Sequence, residues 1–189
     1  MIDTPANPTA ENLLRSHIGW LCQMTRVAAA IYAAWLLFAL ASFWSNVTTI
    51  SDHFGRIVHK DLSAIEPWQQ ATGFALQFII WLFAACACYS AWRLFTLYLS
   101  GAVFTSDSAL WLSRVALYGA IAQGLDIIMR PLETVLLTWH FPAGQKLRVV
   151  SVYLMPNDLA LLILLFGLLA LAHIQRTAAE IVNDHAQIV

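Results

Sequence analysis

Four polar side chains stand inside an apolar stretch that has little use for them: Gln123, Asp126, Arg130 and Glu133, between Ala109 and Trp139. They recur at steps of three, four and three, so a helix brings them to one face, with Pro131 set among them. Asp126 four residues ahead of Arg130 is the favourable helical order for an ion pair, and Glu133 is placed to compete for the same guanidinium. In a bilayer each such charge costs roughly 3 kcal/mol at the midplane, so the stripe must face other helices or a wet cavity. Two chemistries fit it. One is a structural pair that fixes helix register; the other is a polar site for a proton, an ion or a small ligand.

Other reactive side chains form weaker constellations. His53, His59 and His140, with Asp52 or Asp61, are metal-ligand types, but the His53 to His59 step suits neither a helical turn nor a strand face. His17 and His173 fall on one side of the chain's expected topology and can be imagined clamping a haem, but no Cys-x-x-Cys-His motif accompanies them. Cys22, Cys86 and Cys88 are odd in number and contain no Cys-x-x-Cys pair, so they read as small packing residues. Neither a Gly-x-Ser-x-Gly elbow, a zincin motif nor a phosphate loop is present. No metal or cofactor is expected, and the chain reads as a non-enzyme.

Composition sets the elements that must position the stripe. Apolar residues make up 60% of the chain and charged residues 11%, far below the roughly 25% charged of a soluble domain, and mean hydropathy is +0.67. A net charge of -1 gives no basic face for nucleic acid, and no direct nucleic-acid partner is expected. The fold class is all-α: a polytopic membrane protein, a four-helix transmembrane bundle with interfacial helical segments at both ends. The bilayer is its first partner.

The chain opens with a polar tail without the basic, short-apolar pattern of a signal peptide, then an approach helix from Thr9 to Arg26 that Arg15, His17 and Arg26 keep at the interface. Spans follow at about 27–47, 71–92, 109–139 and 159–174, the first and second free of charge and about 20 residues long, enough for some 30 Å of hydrocarbon. Gln77 is the lone strongly polar side chain of the second. Thr48 to Pro67 is expected as a charged loop with a helical turn or two. Gly101 breaks the chain before Thr105, Ser106 or Asp107 caps the third helix, and Pro131 is expected to kink or end it. Lys146 to Leu154 is the one candidate strand.

Tryptophan supports the same count, because its ring prefers headgroup interfaces. Trp20 and Trp44 bracket the first span, Trp68 and Trp92 the second, and Trp111 and Trp139 the third. An even count places both termini on one side with Arg15, Arg26, Arg93, Arg114 and Arg176, against Arg56, Lys60, Lys146 and Arg148 opposite. That bias slightly favours cytoplasmic termini.

The block Trp92-Arg93-Leu94-Phe95-Thr96-Leu97-Tyr98-Leu99-Ser100-Gly101-Ala102-Val103-Phe104-Thr105 resembles the arginine, aromatic, glycine, phenylalanine signature of a bacterial membrane family known as domain of unknown function twenty-nine seventy-five. The ending from Leu171 to Glu180, and Gln187-Ile188-Val189, is similar to that family's amphipathic tail. Ala102 and His185 stand where the family commonly has acidic or amide residues. The resemblance implies a four-helix inner-membrane protein with cytoplasmic termini and a small helix-turn-helix regulator as partner. It implies no activity.

The tail, 175–189, completes the reading. Ile174, Ala178, Ile181 and Val182 approximate one apolar helical face, which either lies on headgroups or docks a cytoplasmic protein by helix-in-groove contacts. The expected role is that of an inner-membrane interaction or accessory protein, partnered by a membrane complex or a small regulator. The alternative is a small carrier or ligand-binding protein that uses the stripe.

Overall fold

The computed structural model describes residues 8–58, 65–103, 105–139, 141 and 154–186, with side chains left aside at 8–18, 57–58 and 182–186. It contains α1 (Pro8–Trp44), α2 (Val47–Val58), α3 (Pro67–Leu99), α4 (Ser106–Leu137) and α5 (Pro156–Ala186), and no strand among the described residues. Four of these helices, all but α2, are long and apolar enough to cross a membrane, and the chain is an all-α, multi-pass four-helix bundle. Only 6% to 17% of their most apolar windows is buried within the protein, which leaves the large apolar side chains for lipid.

Each boundary has a local cause. Asn46 accepts from Thr48 N at 3.1 Å and so caps α2. Pro67 occupies the first position of α3, where its missing N–H costs nothing. That helix ends in a Schellman turn: Ala102 N donates to Leu97 O and Gly101 N to Tyr98 O, with Gly101 at φ +86° in the left-handed region that glycine adopts freely. Thr105 and Ser108 then cap α4 reciprocally, backbone to side chain, at 3.2 Å each way.

Several elements run further than the sequence implies. The approach helix and the first span are one continuous helix, because nothing near Arg26 breaks backbone bonding. The expected loop after it contains α2, three turns long, whose Ile50 and Phe54 are buried against Leu40, Trp44 and Leu137. Pro131 does not end α4, which continues to Leu137; Thr134 Oγ1 donates to the Arg130 carbonyl at 3.0 Å beside it. The fourth span begins earlier, at Pro156, and continues without interruption through the tail to Ala186. The candidate strand lies outside the described residues, apart from Leu154.

Helices pack in a row: α1 on α3, α3 on α4, α4 on α5. The seam of α5 on α4 repeats every seventh residue, with Asp158, Leu165, Ala172 and Ala179 buried. Ends are tied across helices as well. Gln69 Nε2 donates to Leu136 O at 2.7 Å and Gln70 Nε2 to Trp44 O, so the start of α3 satisfies carbonyls at the ends of α4 and α1. Trp44 is not the interfacial anchor that its position suggests. Its indole is 2% exposed and lies so close over Gly73 that a Cβ there would overlap the ring.

Candidate functional site

The charged stripe of α4 divides between two neighbours. Gln123 and Arg130 reach Asp158 on α5, and Asp126 joins them through Arg130. Arg130 grips that carboxylate with both ends of its fork, Nη1 to Oδ2 at 2.7 Å and Nη2 to Oδ1 at 2.9 Å, while Nη2 also pairs with Asp126. Gln123 Nε2 adds a bond to Asp158 Oδ1 at 2.9 Å, and Met155 N–H reaches Oδ2 at 2.9 Å. Asp158 is thus saturated, and its charge sits in the first turn of α5, where the helix dipole favours an anion. This cluster sets the axial position of α5: its start lies level with Arg130, seven residues or about 10 Å short of the end of α4.

Glu133 takes no part in that pairing. The expected competition for Arg130 is a correction: Asp158 occupies the place, because α5 begins opposite Arg130 while Glu133 turns toward α3. There Gln77 Nε2 donates to Glu133 Oε2 at 3.1 Å, and Gln77 Oε1 accepts from Trp44 Nε1 at 2.9 Å. The indole can only donate, so it fixes the orientation of the amide and makes Glu133 Oε2 an acceptor. Glu133 is 3% exposed, and its other oxygen, Oε1, has no hydrogen-bond partner.

Glu133 is one of the residues that line a cavity of 640 Å³ between α1, α2, α3 and α4, although Oε1 itself is buried. Its wall includes Phe43, His53, Phe54, Asp126, Arg130 and Glu133. His53 stands edge-on to Phe43 and Phe54 at 5.6 Å and 5.1 Å between ring centres. A larger cleft of 810 Å³ lies at the opposite end between α4 and α5, bordered by Asp107, Phe166, His173 and Arg176.

Sequence reasoning found the stripe but not Asp158, Gln77 or Trp44 as its partners. Asp158 has a visible signal: an acid entering an apolar helix two residues after proline requires a cation nearby. Gln77 was conspicuous as a lone amide, but its partner was not. Among the described residues no three of histidine, cysteine, aspartate and glutamate converge to hold a metal, and His59, Asp61 and His140 lie outside them. Of the proposed haem ligands, His173 borders the larger cleft, and the side chain of His17 is outside the described set.

The expected docking face of α5 is exposed. Ile174, Ala178 and Ile181 lie on the far side of the helix from the seam of Ala172 and Ala179, while the Val182 side chain falls outside the described set. At this same end Arg26 lies 4.3 Å over Trp92, and Arg114 and Arg93 lie 4.5 Å and 5.4 Å from Trp111. No family model, curated protein or solved structure matches the chain.

Proposed function

We propose that this chain is a non-enzymatic accessory protein of the bacterial inner membrane, with both termini in the cytoplasm, that docks a soluble helical partner on the end of α5. The observation that carries this reading is the extension of both outer helices past their neighbours on one side. Gly19 lies beside Leu99, the last residue of α3, so 8–18 add about 16 Å of helix beyond it. Arg176 and Glu180 lie level with Ser106 and Asp107 at the start of α4, so Ile181 to Ala186 reach past that start. Ile174 and Ile181 are 64% and 52% exposed on the unpacked face, a spacing that a groove reads well. The arginines at this end agree with a cytoplasmic orientation, and the resemblance of the Trp92 to Thr105 block makes a small helix-turn-helix regulator the first candidate partner.

A photo-crosslinking residue at Ile181 in living cells tests this. The expected result is one stoichiometric protein adduct, lost when Ile174 is changed to Asp, with membrane insertion intact. A complex unaffected by Ile174→Asp and Ile181→Asp rejects the docking face. A second reading, a small carrier or ligand-binding protein, is favoured by a cavity of ligand size that Asp126, Arg130 and Glu133 help to line.

A further inference from the structure

We propose that the cleft between the start of α4 and the outer part of α5 holds a phospholipid with an amine head, a phosphatidylethanolamine. Its phosphate lies on Arg176, its ammonium between Asp107 and Glu180, and an acyl chain along Phe166 and Leu169. Such binding requires the bundle's place in a bilayer, and neither the docking face nor a particular side of the membrane.

The cleft exists because small side chains face each other along it. Ala109 of α4 and Ala172 of α5 are each 2% exposed, with Ser106 and Ala170 beside them, so no bulky group fills its 810 Å³. Deeper in the membrane the two helices close up, for a Cβ added to Gly119 would lie 2.7 Å from Leu165. Along α5 the lining runs from Phe166 to Glu180, about 21 Å of helix, which is the depth of one leaflet with its headgroups. Polarity changes along that length. Phe166, Leu169 and Ala170 line the deep part, and His173, Arg176 and Glu180 the outer part, joined there by Ser106 and Asp107. Trp111, with Arg93 and Arg114 against its ring, marks the headgroup level on α4. Water in the deep part would find few polar partners, and a void there forfeits van der Waals contact. An amphiphile satisfies both ends, and the bilayer presents one at the right depth.

The head follows from the accessible polar groups of the outer part. Arg176 bonds Glu180 at 3.1 Å, but the two side chains are 66% and 59% exposed, and so solvated a pair is worth less than about 1 kcal/mol. The guanidinium can therefore turn to a phosphate, which its fork suits, and His173 can donate to the same group in either charge state. Asp107 and Glu180 are then two exposed acceptors without a cation, and Asp107 makes no ion pair among the described residues even before a lipid arrives. An anionic head with no amine would leave both as they are. A choline head brings a cation but no N–H, whereas an ammonium brings charge and three donors together.

The test uses the full chain in phosphatidylcholine nanodiscs doped with phosphatidylethanolamine that carries a diazirine on one acyl chain. Phosphatidylcholine and phosphatidylglycerol with the same chain serve as comparisons, and adducts are mapped by mass spectrometry after illumination. Expected are ethanolamine-lipid adducts on Leu110 to Ser113 and Phe166 to Ala170, at least about tenfold above either comparison, the size of one charge-assisted hydrogen bond. That advantage is expected to vanish in the double variant Asp107→Asn, Glu180→Gln. Ala170→Trp, a change at an exposed position that fills the cleft, is expected to remove the adducts of all three probes there. Equal labelling by the ethanolamine and choline lipids, or an advantage that survives the double variant, overturns the amine head. Labelling abolished by excess soluble glycerophosphoethanolamine assigns the site to the free head and overturns the lipid. Adducts spread evenly over the lipid-facing helices and unchanged by Ala170→Trp overturn the site itself.

Discussion

Arg130 and Glu133 stand within one turn of each other on α4, yet their surroundings differ in kind. Arg130 is shared by Asp126 and Asp158, and Gln123 and a backbone N–H complete the Asp158 carboxylate. Glu133 is held on one oxygen only, by an amide that an indole has oriented. A satisfied network fixes register, because every member loses if one moves. A half-satisfied buried acid fixes little by itself, and the contrast is what separates the ligand-binding reading from the structural one. Polar residues in a span therefore need to be judged by what remains open, not by how charged they are.

The sharpest way to break this comparison is Arg130→Leu. It strands two carboxylates and releases the start of α5, and the expected outcome is loss of most monodisperse protein in size-exclusion chromatography; adding Asp158→Asn should recover part of it. Normal yield of the single variant would place Arg130 outside the structural core. Gly73→Ala comes next. The added methyl overlaps the Trp44 indole, and overpacking of this kind costs about 1–3 kcal/mol, read as a lower denaturant midpoint in detergent. A wild-type midpoint would mean that Trp44 is free to move.

Gln77→Leu sharpens the other side. It removes the partner of both Trp44 Nε1 and Glu133 Oε2, for an expected loss of about 1–2 kcal/mol and a change in indole emission that Trp44→Phe abolishes. The smallest effect is expected from Glu133→Gln, which removes a buried charge that nothing neutralises directly; its unfolding midpoint should match or slightly exceed that of the parent. A large destabilisation by Glu133→Gln would make this residue as structural as Arg130 and erase the contrast.

Much of the architecture was legible before any packing was known. The long apolar blocks gave the four long helices, Gly101 gave the break between α3 and α4 with Thr105 among three candidate caps, and the three- and four-residue steps gave the stripe. Ile174, Ala178 and Ile181 were likewise legible as one face, and the seam at Ala172 and Ala179 leaves that face free. Three features were not. The Thr48 to Pro67 segment hid α2, whose amphipathic pattern is short and interrupted by charge. Trp44 looked like an interface anchor, because the indole pattern says where rings prefer to be and not that Gly73 opens a slot for one. Glu133 looked like a partner of Arg130, because helical spacing reports neighbours on one helix and is blind to the helix opposite.

The sequence by itself determined that this chain is built of long apolar helices, where the break between α3 and α4 falls, and which polar side chains share a face. Those properties are local: hydrophobic length, capping chemistry and periodicity act over one turn to a few turns of a single helix. Only the tertiary structure decided that Asp158 completes Arg130, that Gln77 and Trp44 hold one oxygen of Glu133, and that the other is buried without a hydrogen-bond partner. Those facts depend on the axial offset between helices that lie 28 to 56 residues apart in the chain at these contacts. A shift of one turn, about 5 Å, would exchange every one of these partners without changing the local pattern that forms each helix.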